Sequence, residues 1–291
     1  MASFAQAIVD GILGGAVYAL MAAGLTLIFG VLDIINIAQG ILVVLAAYLS
    51  YALSVHLHLD PLLGLFVTVP VMFLLGVFIE WAFIRRLRGR ERTAMSLLVS
   101  YAVAVIIEGV LYQTFGSTPV TIQAWYATST LHVFGFFLPY IYLIGFGLAV
   151  VALAAIYLML YRTTFGRTVR ATVQDKVAAR LIGINVDRIA ALTFGIGVAV
   201  TAAGGMVFGM TNAFNPDSGY DLISRLLSIV ILGGLGSIGG ALAAAMFMVT
   251  AEEVVNIWQP TWATAVYYVV LVIVLVVRPA GLFGKQATRA Q

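Results

Sequence analysis

GGAVYALMAAGLTLIFGVLDIINIAQG, residues 14–40, carries no charged side chain before Asp33 and then brings Asp33, Asn36 and Gln39 in at intervals of three. With the residues before it, the apolar run covers 6–30, longer than the roughly 20 residues an α-helix needs to cross a bilayer. Lipid offers no hydrogen bonds, so a polar interruption inside such a run must be satisfied by protein or water. Two apolar spans, 6–30 and 41–57, therefore flank a polar stretch: a helix that continued through it would put Asp33, Asn36 and Gln39 on one face, and a break would free backbone groups.

The rest of the chain repeats the theme. Apolar spans follow at 41–57, 62–84, 94–113, 139–161, 188–210 and 263–278, and an apolar hairpin at 222–257 is broken by GGLGSIGG, residues 233–240. The expected fold is all-α, a polytopic transmembrane bundle forming one domain over 1–291. The hairpin either dips into the membrane and returns or makes two short crossings. Composition agrees: 63% of residues are hydrophobic and 9% charged, more apolar surface than a soluble domain of this size buries. A net charge of +3 could suggest nucleic acid, but the basic residues flank apolar spans rather than forming a separate basic module, so no nucleic-acid partner is expected. The chain has no cysteine. His56, His58 and His132 form no HExxH pair, and no metal or other cofactor is expected. The N-terminus lacks a basic leader region, so the first span is expected to be retained.

Charge sets the expected orientation. Of the fifteen Lys and Arg, five lie in 85–92 (Arg85, Arg86, Arg88, Arg90, Arg92) and six in 162–188 (Arg162, Arg167, Arg170, Lys176, Arg180, Arg188). Arg278, Lys285 and Arg289 follow the last span, and Arg225 alone lies elsewhere. The positive-inside rule puts these clusters and the C-terminus in the cytoplasm and the N-terminus outside. The segments 58–61, 114–138, 211–221 and 256–262 then face outward, with Asp60, Asp217 and Asp221, and Trp125, Tyr126, Trp258 and Trp262 form an outer aromatic belt. Asp10, Glu80, Glu252 and Glu253 fall near span ends where water reaches them; Glu108 lies deeper.

Two polar interruptions are candidates for a transport pathway. Asn36, Gln39 and Gly40 belong to the first, where a hairpin turn with amides bonding across helices stands beside a pathway-lining role. The second holds Gly233, Gly234, Gly236, Ser237 and Gly239, a density of glycine that either permits a backbone break beside a cavity or lets helices touch. It lacks the lysine of a phosphate-binding loop. Gly197, Thr201, Gly205 and Gly209, four apart, predict close helix packing.

One polar island remains, FGRTVRATVQDKVAARLIGI at 165–184. Thr172 and Asp175 suggest a capping box and Gly183 a C′ glycine, predicting a single short helix over 173–182. Val173, Val177 and Leu181 lie on one face with Ala178 and Ile182 beside them. Such a face fits the inner membrane surface, with arginines on anionic lipid, or a groove in a protein partner.

The island resembles the cytoplasmic loop by which ABC importer permeases engage their ATPase subunits. The whole chain is similar to the branched-chain amino-acid permease family through residues 14–40, TTFGRTVRATVQDKVAARLIGINVDRI at 163–189, LGGLGSIGGALAAA at 232–245 and RPAGLFG at 278–284. The resemblance implies an inner-membrane permease subunit that imports branched-chain or other hydrophobic amino acids by alternating access and is not itself an enzyme. It implies a second related permease subunit, two ATP-binding subunits and an extracytoplasmic solute-binding protein. The segment 162–188 becomes the coupling loop, with ATPase contact assigned to Gly166, Arg167, Arg170, Asp175, Ala178, Ala179, Arg180 and Gly183. Asp175 stands where the family usually has Glu, and Gln39 where it often has His. A urea or short-amide importer shares this plan; an ion-coupled carrier or channel is the alternative of another class.

Overall fold

The computed structural model describes residues 2–87, 92–133, 135–278 and 281–283. Arg88, Arg90, Lys285 and Arg289 of the charge count, and Pro279, Ala280 and Gly284 of the last family segment, lie outside the described residues.

The first long run is α1, Ala2–Leu32, followed after a break by α2, Gln39–Leu57, and α3, Pro61–Ala82. A 3-10 turn at Ile84–Arg86 precedes α4, Arg92–Phe115. The short α5, Trp125–Thr128, leads into two strands, β1 Thr130–Val133 and β2 Phe136–Pro139, paired antiparallel with Thr130 opposite Pro139. This strand pair is the one departure from an all-helical expectation among the described residues. Then come α6, Tyr140–Arg162; α7, Thr164–Gln174; α8, Lys176–Leu181; and α9, Val186–Thr211. The chain finishes with α10, Ser218–Gly233; α11, Ile238–Trp258; α12, Pro260–Ala263; and α13, Ala265–Val277.

Seven of these helices are long and apolar enough to cross a membrane, but they are not quite the seven spans expected. The 263–278 span is interrupted at Thr264, leaving α13 with 13 residues, about 20 Å at 1.5 Å per residue against a hydrocarbon core of about 30 Å. The second arm of the hairpin replaces it: α11 has 21 residues. The first arm, α10, has 16.

α1 is apolar all round and is therefore packed all round. Glycine lets its neighbours close in. A Cβ on Gly11 would lie 2.4 Å from the Cα of Thr250, and one on Gly15 2.6 Å from the Cα of Met246, so a four-residue step on α1 meets a four-residue step on α11. The expected small-residue stripe of α9 packs the same way. Cβ atoms on Gly197 and Gly205 would meet Ile28 at 2.6 Å and the Val43 carbonyl at 2.5 Å, and Thr201 is buried. At the middle of α2, Tyr48 stacks on Phe115 at 4.4 Å and meets Phe214 edge-on at 4.8 Å. By contrast α3, α4 and α6 leave Phe66, Leu74, Ile106 and Val151 exposed, as faces turned to lipid would be.

The two ends of the bundle differ in charge. At one end Lys176 Nζ donates to the Leu32 carbonyl at 3.5 Å, and Asp187 at the start of α9 joins Arg85 and Arg180. Arg162, Arg167, Arg170 and Arg188 belong to the same end. At the other end Asp60 caps α3 through the Leu62 N–H at 2.9 Å and accepts the Tyr126 hydroxyl at 3.0 Å. Trp125, Trp258 and Trp262 are exposed there, whereas Tyr126, expected beside them in the aromatic belt, is buried. Burial first, and then its hydrogen bond to Asp60, push the Tyr126 phenol above its ordinary range.

Candidate functional site

The polar island folds as two helices, not one. Thr163 caps α7 by accepting the Gly166 N–H at 3.1 Å. Gly166 lies so close beneath α6 that a Cβ would sit 2.0 Å from the Leu160 carbonyl. Arg170 donates to that same carbonyl and places its guanidinium carbon 5.5 Å from the centre of the Tyr161 ring. Val169 and Thr172 face inward and are buried. The expected helix over 173–182 breaks at Asp175, whose backbone is extended (φ −156°, ψ 111°). Its Oδ1 accepts the N–H groups of Val177 at 2.7 Å and Ala178 at 3.0 Å, so Asp175 is the N-cap of α8 rather than the partner of a capping Thr172. The Thr172 hydroxyl instead donates to the Thr168 carbonyl at 2.8 Å. The physical reason is that a short carboxylate satisfies orphan amides best from the cap position itself. Gly183 follows α8 with φ +86°, the left-handed residue expected after a helix end.

Exposure sorts the assigned residues. Val177, Leu181 and Ile182 are 69%, 84% and 74% exposed, and Ala178 is exposed beside them. Ala179 is 2% exposed and packs into the chain. Arg167 projects outward, whereas Arg180 is tied to Asp187 at 3.2 Å and Arg85 to the same carboxylate at 3.3 Å. The structure therefore shows an apolar knob facing away from the bundle, seated by Gly166, Arg170, Ala179 and Arg180 and capped by Asp175. This knob stands at the cationic end.

The first polar interruption is a true break: residues 33–38 link α1 to α2, and Asp33 takes φ +58°. The link runs along α4, where Ser100 Oγ accepts the Ile37 N–H at 3.1 Å and Thr93 Oγ1 donates to the Asp33 carbonyl at 3.2 Å. Asn36 and Gln39 turn inward, 1% and 0% exposed, with Asn36 Nδ2 donating to Gln39 Oε1 at 3.1 Å. Asn36 Oδ1 and Gln39 Nε2 have no hydrogen-bond partner among the described residues, a cost of about 1–3 kcal/mol each. A Cβ on Gly24 would come within 2.9 Å of Gln39 Nε2, so these amides pack the core where α1 crosses α9. Gly40 faces elsewhere, with a Cβ position 2.1 Å from the Gly219 carbonyl at the start of α10.

The second interruption joins α10 to α11. Gly234 and Gly236 have φ of +89° and +82°, and Ser237 Oγ caps α11 by accepting the Gly240 N–H at 3.1 Å. Gly233 and Gly240 touch backbone to backbone, and Gly239 faces open space. The second interruption packs against the last turn of α1: a Cβ on Gly30 would lie 3.3 Å from the Cα of Gly236.

A third group went unread in the sequence. Arg225 Nη1 on α10 donates to both carboxylate oxygens of Glu252 on α11, at 2.8 and 3.0 Å, with the two side chains 20% and 14% exposed. Tyr18 and Thr264 lie at 3.5 Å from the guanidinium nitrogens, and the Tyr267 ring centre lies 5.1 Å from the guanidinium carbon. Glu252 is therefore not water-reached at a span end but paired inside the bundle. The available signal was Arg225 itself, the lone basic residue inside an apolar segment. Among the described residues no three His, Asp or Glu side chains gather as a metal site requires.

Comparison with known proteins follows the same outline. The family described as branched-chain amino acid transport system, permease component, matches residues 7–275. The chain is 27% identical over 296 residues to the high-affinity branched-chain amino acid transport system permease protein LivH of Salmonella typhimurium, covering 97% of this chain and 96% of that protein. It is 27% identical over 300 residues to the corresponding BraD of Pseudomonas aeruginosa, again covering 97% and 96%. A shorter likeness, 28% over 145 residues, reaches the permease protein LivM of Salmonella typhimurium, covering 49% of this chain and 34% of LivM.

Proposed function

The chain belongs to the branched-chain amino acid transport system permease component family, and from that premise we propose that it is one membrane-spanning subunit of an ATP-driven importer for branched-chain or similar hydrophobic amino acids. The observation that carries this reading is the outward knob of Val177, Ala178, Leu181 and Ile182, exposed at the cationic end of the bundle. An apolar helix face of this size gains free energy only when something covers it. A groove in an ATP-binding subunit is the occupant that suits it, since the helix is too short and its apolar stripe too narrow to lie stably in lipid.

In this reading the cationic end is cytoplasmic and the N-terminus is outside, in the inner membrane of a bacterium. The likeness to both LivH and LivM supports a second, related permease subunit beside this one. Two ATP-binding subunits supply the energy, and an extracytoplasmic binding protein delivers the solute. The knob passes motion to the rest of the chain along three attachments: Gly166 against Leu160, Arg170 on the Leu160 carbonyl, and Arg180 on Asp187. The break at 33–38 and the turn at 234–237, which packs on α1 at Gly30, are where α1 and α10 can move relative to their neighbours.

The test is uptake into proteoliposomes that hold this chain with its partner subunits and binding protein. Radiolabelled leucine should accumulate only when ATP is enclosed. Accumulation driven by an ion gradient without ATP would mean a secondary carrier, and ATP-driven uptake of urea in place of leucine would mean a short-amide importer.

A further inference from the structure

Among the described helices of membrane-spanning length, α6 is the least buried within the chain. Val150, Ala154, Leu158 and Tyr161 follow one exposed face of it, at steps of three or four residues. From Val150 to Tyr161 that face runs about 16 Å at 1.5 Å per residue, the depth of one leaflet of a hydrocarbon core about 30 Å thick. Ala154 and Ala155 are exposed between the bulkier Val150 and Val151 on one side and Tyr157 and Leu158 on the other, so the face is shallow there. The face ends on aromatic and cationic groups. Tyr157 and Tyr161 lie with ring centres 4.6 Å apart and are 60% and 58% exposed. α7 folds back against this end of α6 through Gly166 and sets Arg170 over the Tyr161 ring. Arg162 is the last residue of α6, and Arg167 stands one turn before Arg170 on α7; all of these arginines are exposed. Unlike Arg85, Arg180 and Arg225, none of them meets a carboxylate among the described residues. Arg170 bonds a carbonyl and covers a ring, and neither neutralises its charge.

We propose that the end of α6 and the exposed side of α7 form a binding site for an anionic phospholipid, its phosphodiester headgroup on Arg162, Arg167 and Arg170 and an acyl chain along Ala154 and Ala155. Guanidinium groups offer paired donors to phosphate oxygens, and tyrosines settle at headgroup level with their rings toward the acyl region. A lipid with a zwitterionic headgroup carries its own cation to the arginines and gains less from them. Free phosphate meets the same arginines but leaves the apolar face of α6 uncovered. On this account the two helices of the polar island divide their contacts. α8 turns its apolar side chains to a protein, and α7 rests its arginines on the membrane, although the family resemblance assigns Arg167 and Arg170 to the ATPase. The lipid holds α7, which seats the knob through Gly166 and Arg170. Anionic lipid therefore strengthens the coupling of ATP hydrolysis to transport. That regulatory effect rests on the coupling reading given above; the binding site itself does not.

The experiment is retention of radiolabelled phosphatidylglycerol by the immobilised, purified transporter in mixed detergent micelles, with unlabelled phosphatidylglycerol, phosphatidylcholine and inorganic phosphate as competitors. Phosphatidylglycerol should bind saturably, phosphatidylcholine should compete about tenfold less well, and inorganic phosphate at the same concentration should not compete. Arg162→Gln combined with Arg167→Gln should raise the half-saturating concentration of phosphatidylglycerol by about tenfold or more. Ala154→Trp, which fills the shallow part of the α6 face and leaves every arginine in place, should raise it as well. Both variants should recover the ATP-binding subunits as the parent does. Equal competition by phosphatidylcholine overturns the proposal, and so does parent-like retention in the double arginine variant. Displacement by inorganic phosphate would mean a site for the free ion instead. Loss of the ATP-binding subunits with lipid retention unchanged would give the arginines to the partner and also overturn it. Failure of ATP-driven uptake by the unmodified transporter is read separately and counts against the importer reading alone.

Discussion

Arg225 and Glu252 sit on different helices, 27 positions apart, and hold a charge pair where a bilayer would otherwise exclude it. Breaking such a pair leaves the survivor buried and uncompensated, at a cost of about 3–5 kcal/mol, whereas replacing both by apolar groups is close to neutral. Arg225→Met alone and Glu252→Gln alone should each lower thermal stability in detergent, and Arg225→Met with Glu252→Leu should recover most of the loss. Singles as stable as the parent would show that the pair does not brace α10. Gly236 invites a different test, since its φ of +82° penalises any side chain. Gly236→Ala should cost about 1–3 kcal/mol, read as a lower unfolding midpoint, and an unchanged midpoint would mean that the turn relaxes freely. At this scale the sequence was only partly legible. Arg225 stood out, but its partner did not, because the pairing depends on how α10 and α11 lie against each other. Ala178 and Ala179 are alike as letters, and only the fold separates the exposed one from the buried one.

Among elements, the knob is the informative case. Of the expected face of Val173, Val177 and Leu181, the last two stand on α8 with Ile182 just beyond, as the spacing predicts, and Gly183 follows the helix end, whereas Val173 falls on α7 before the break. The break at Asp175 was not legible, because Thr172 and Asp175 have the spacing of a capping box as well as that of a helix interior followed by a cap. The structure changes what substitutions should do. Leu181→Asp alters only the outward face, so it should weaken recovery of the ATP-binding subunits at least tenfold while this chain remains folded; loss of a buried leucine alone is worth about 1.5–3 kcal/mol. Ala179→Asp should act through the chain's own packing, loosening α8 and lowering stability before any partner is involved. Equal recovery of the ATP-binding subunits by the Leu181→Asp variant and the parent would contradict docking at this face. Charge reversal at Arg167 proving more harmful than Leu181→Asp would favour a lipid surface as the occupant. The short α13 also escaped sequence reading: its apolar run is continuous in composition, and nothing but the interruption at Thr264 separates it from α12.

For the molecule as a whole, the fold class was open to reading because bilayer thickness sets helix length, and six of the spans needed only that. The small residues of α1 and α9 signalled close packing without naming the partner surfaces, which are set by the bundle's arrangement. The segregation of the described Lys and Arg other than Arg225 to one end of the bundle is likewise a property of the whole chain, and the orientation proposed for the coupling reading rests on it. Since the chain has no native cysteine, a single Leu181→Cys substitution tests orientation and docking together by labelling with a membrane-impermeant maleimide. The account predicts no labelling in intact cells, strong labelling in opened membranes that lack the ATP-binding subunits, and protection when those subunits are present. Labelling in intact cells, or equal labelling with and without the ATP-binding subunits, would contradict it.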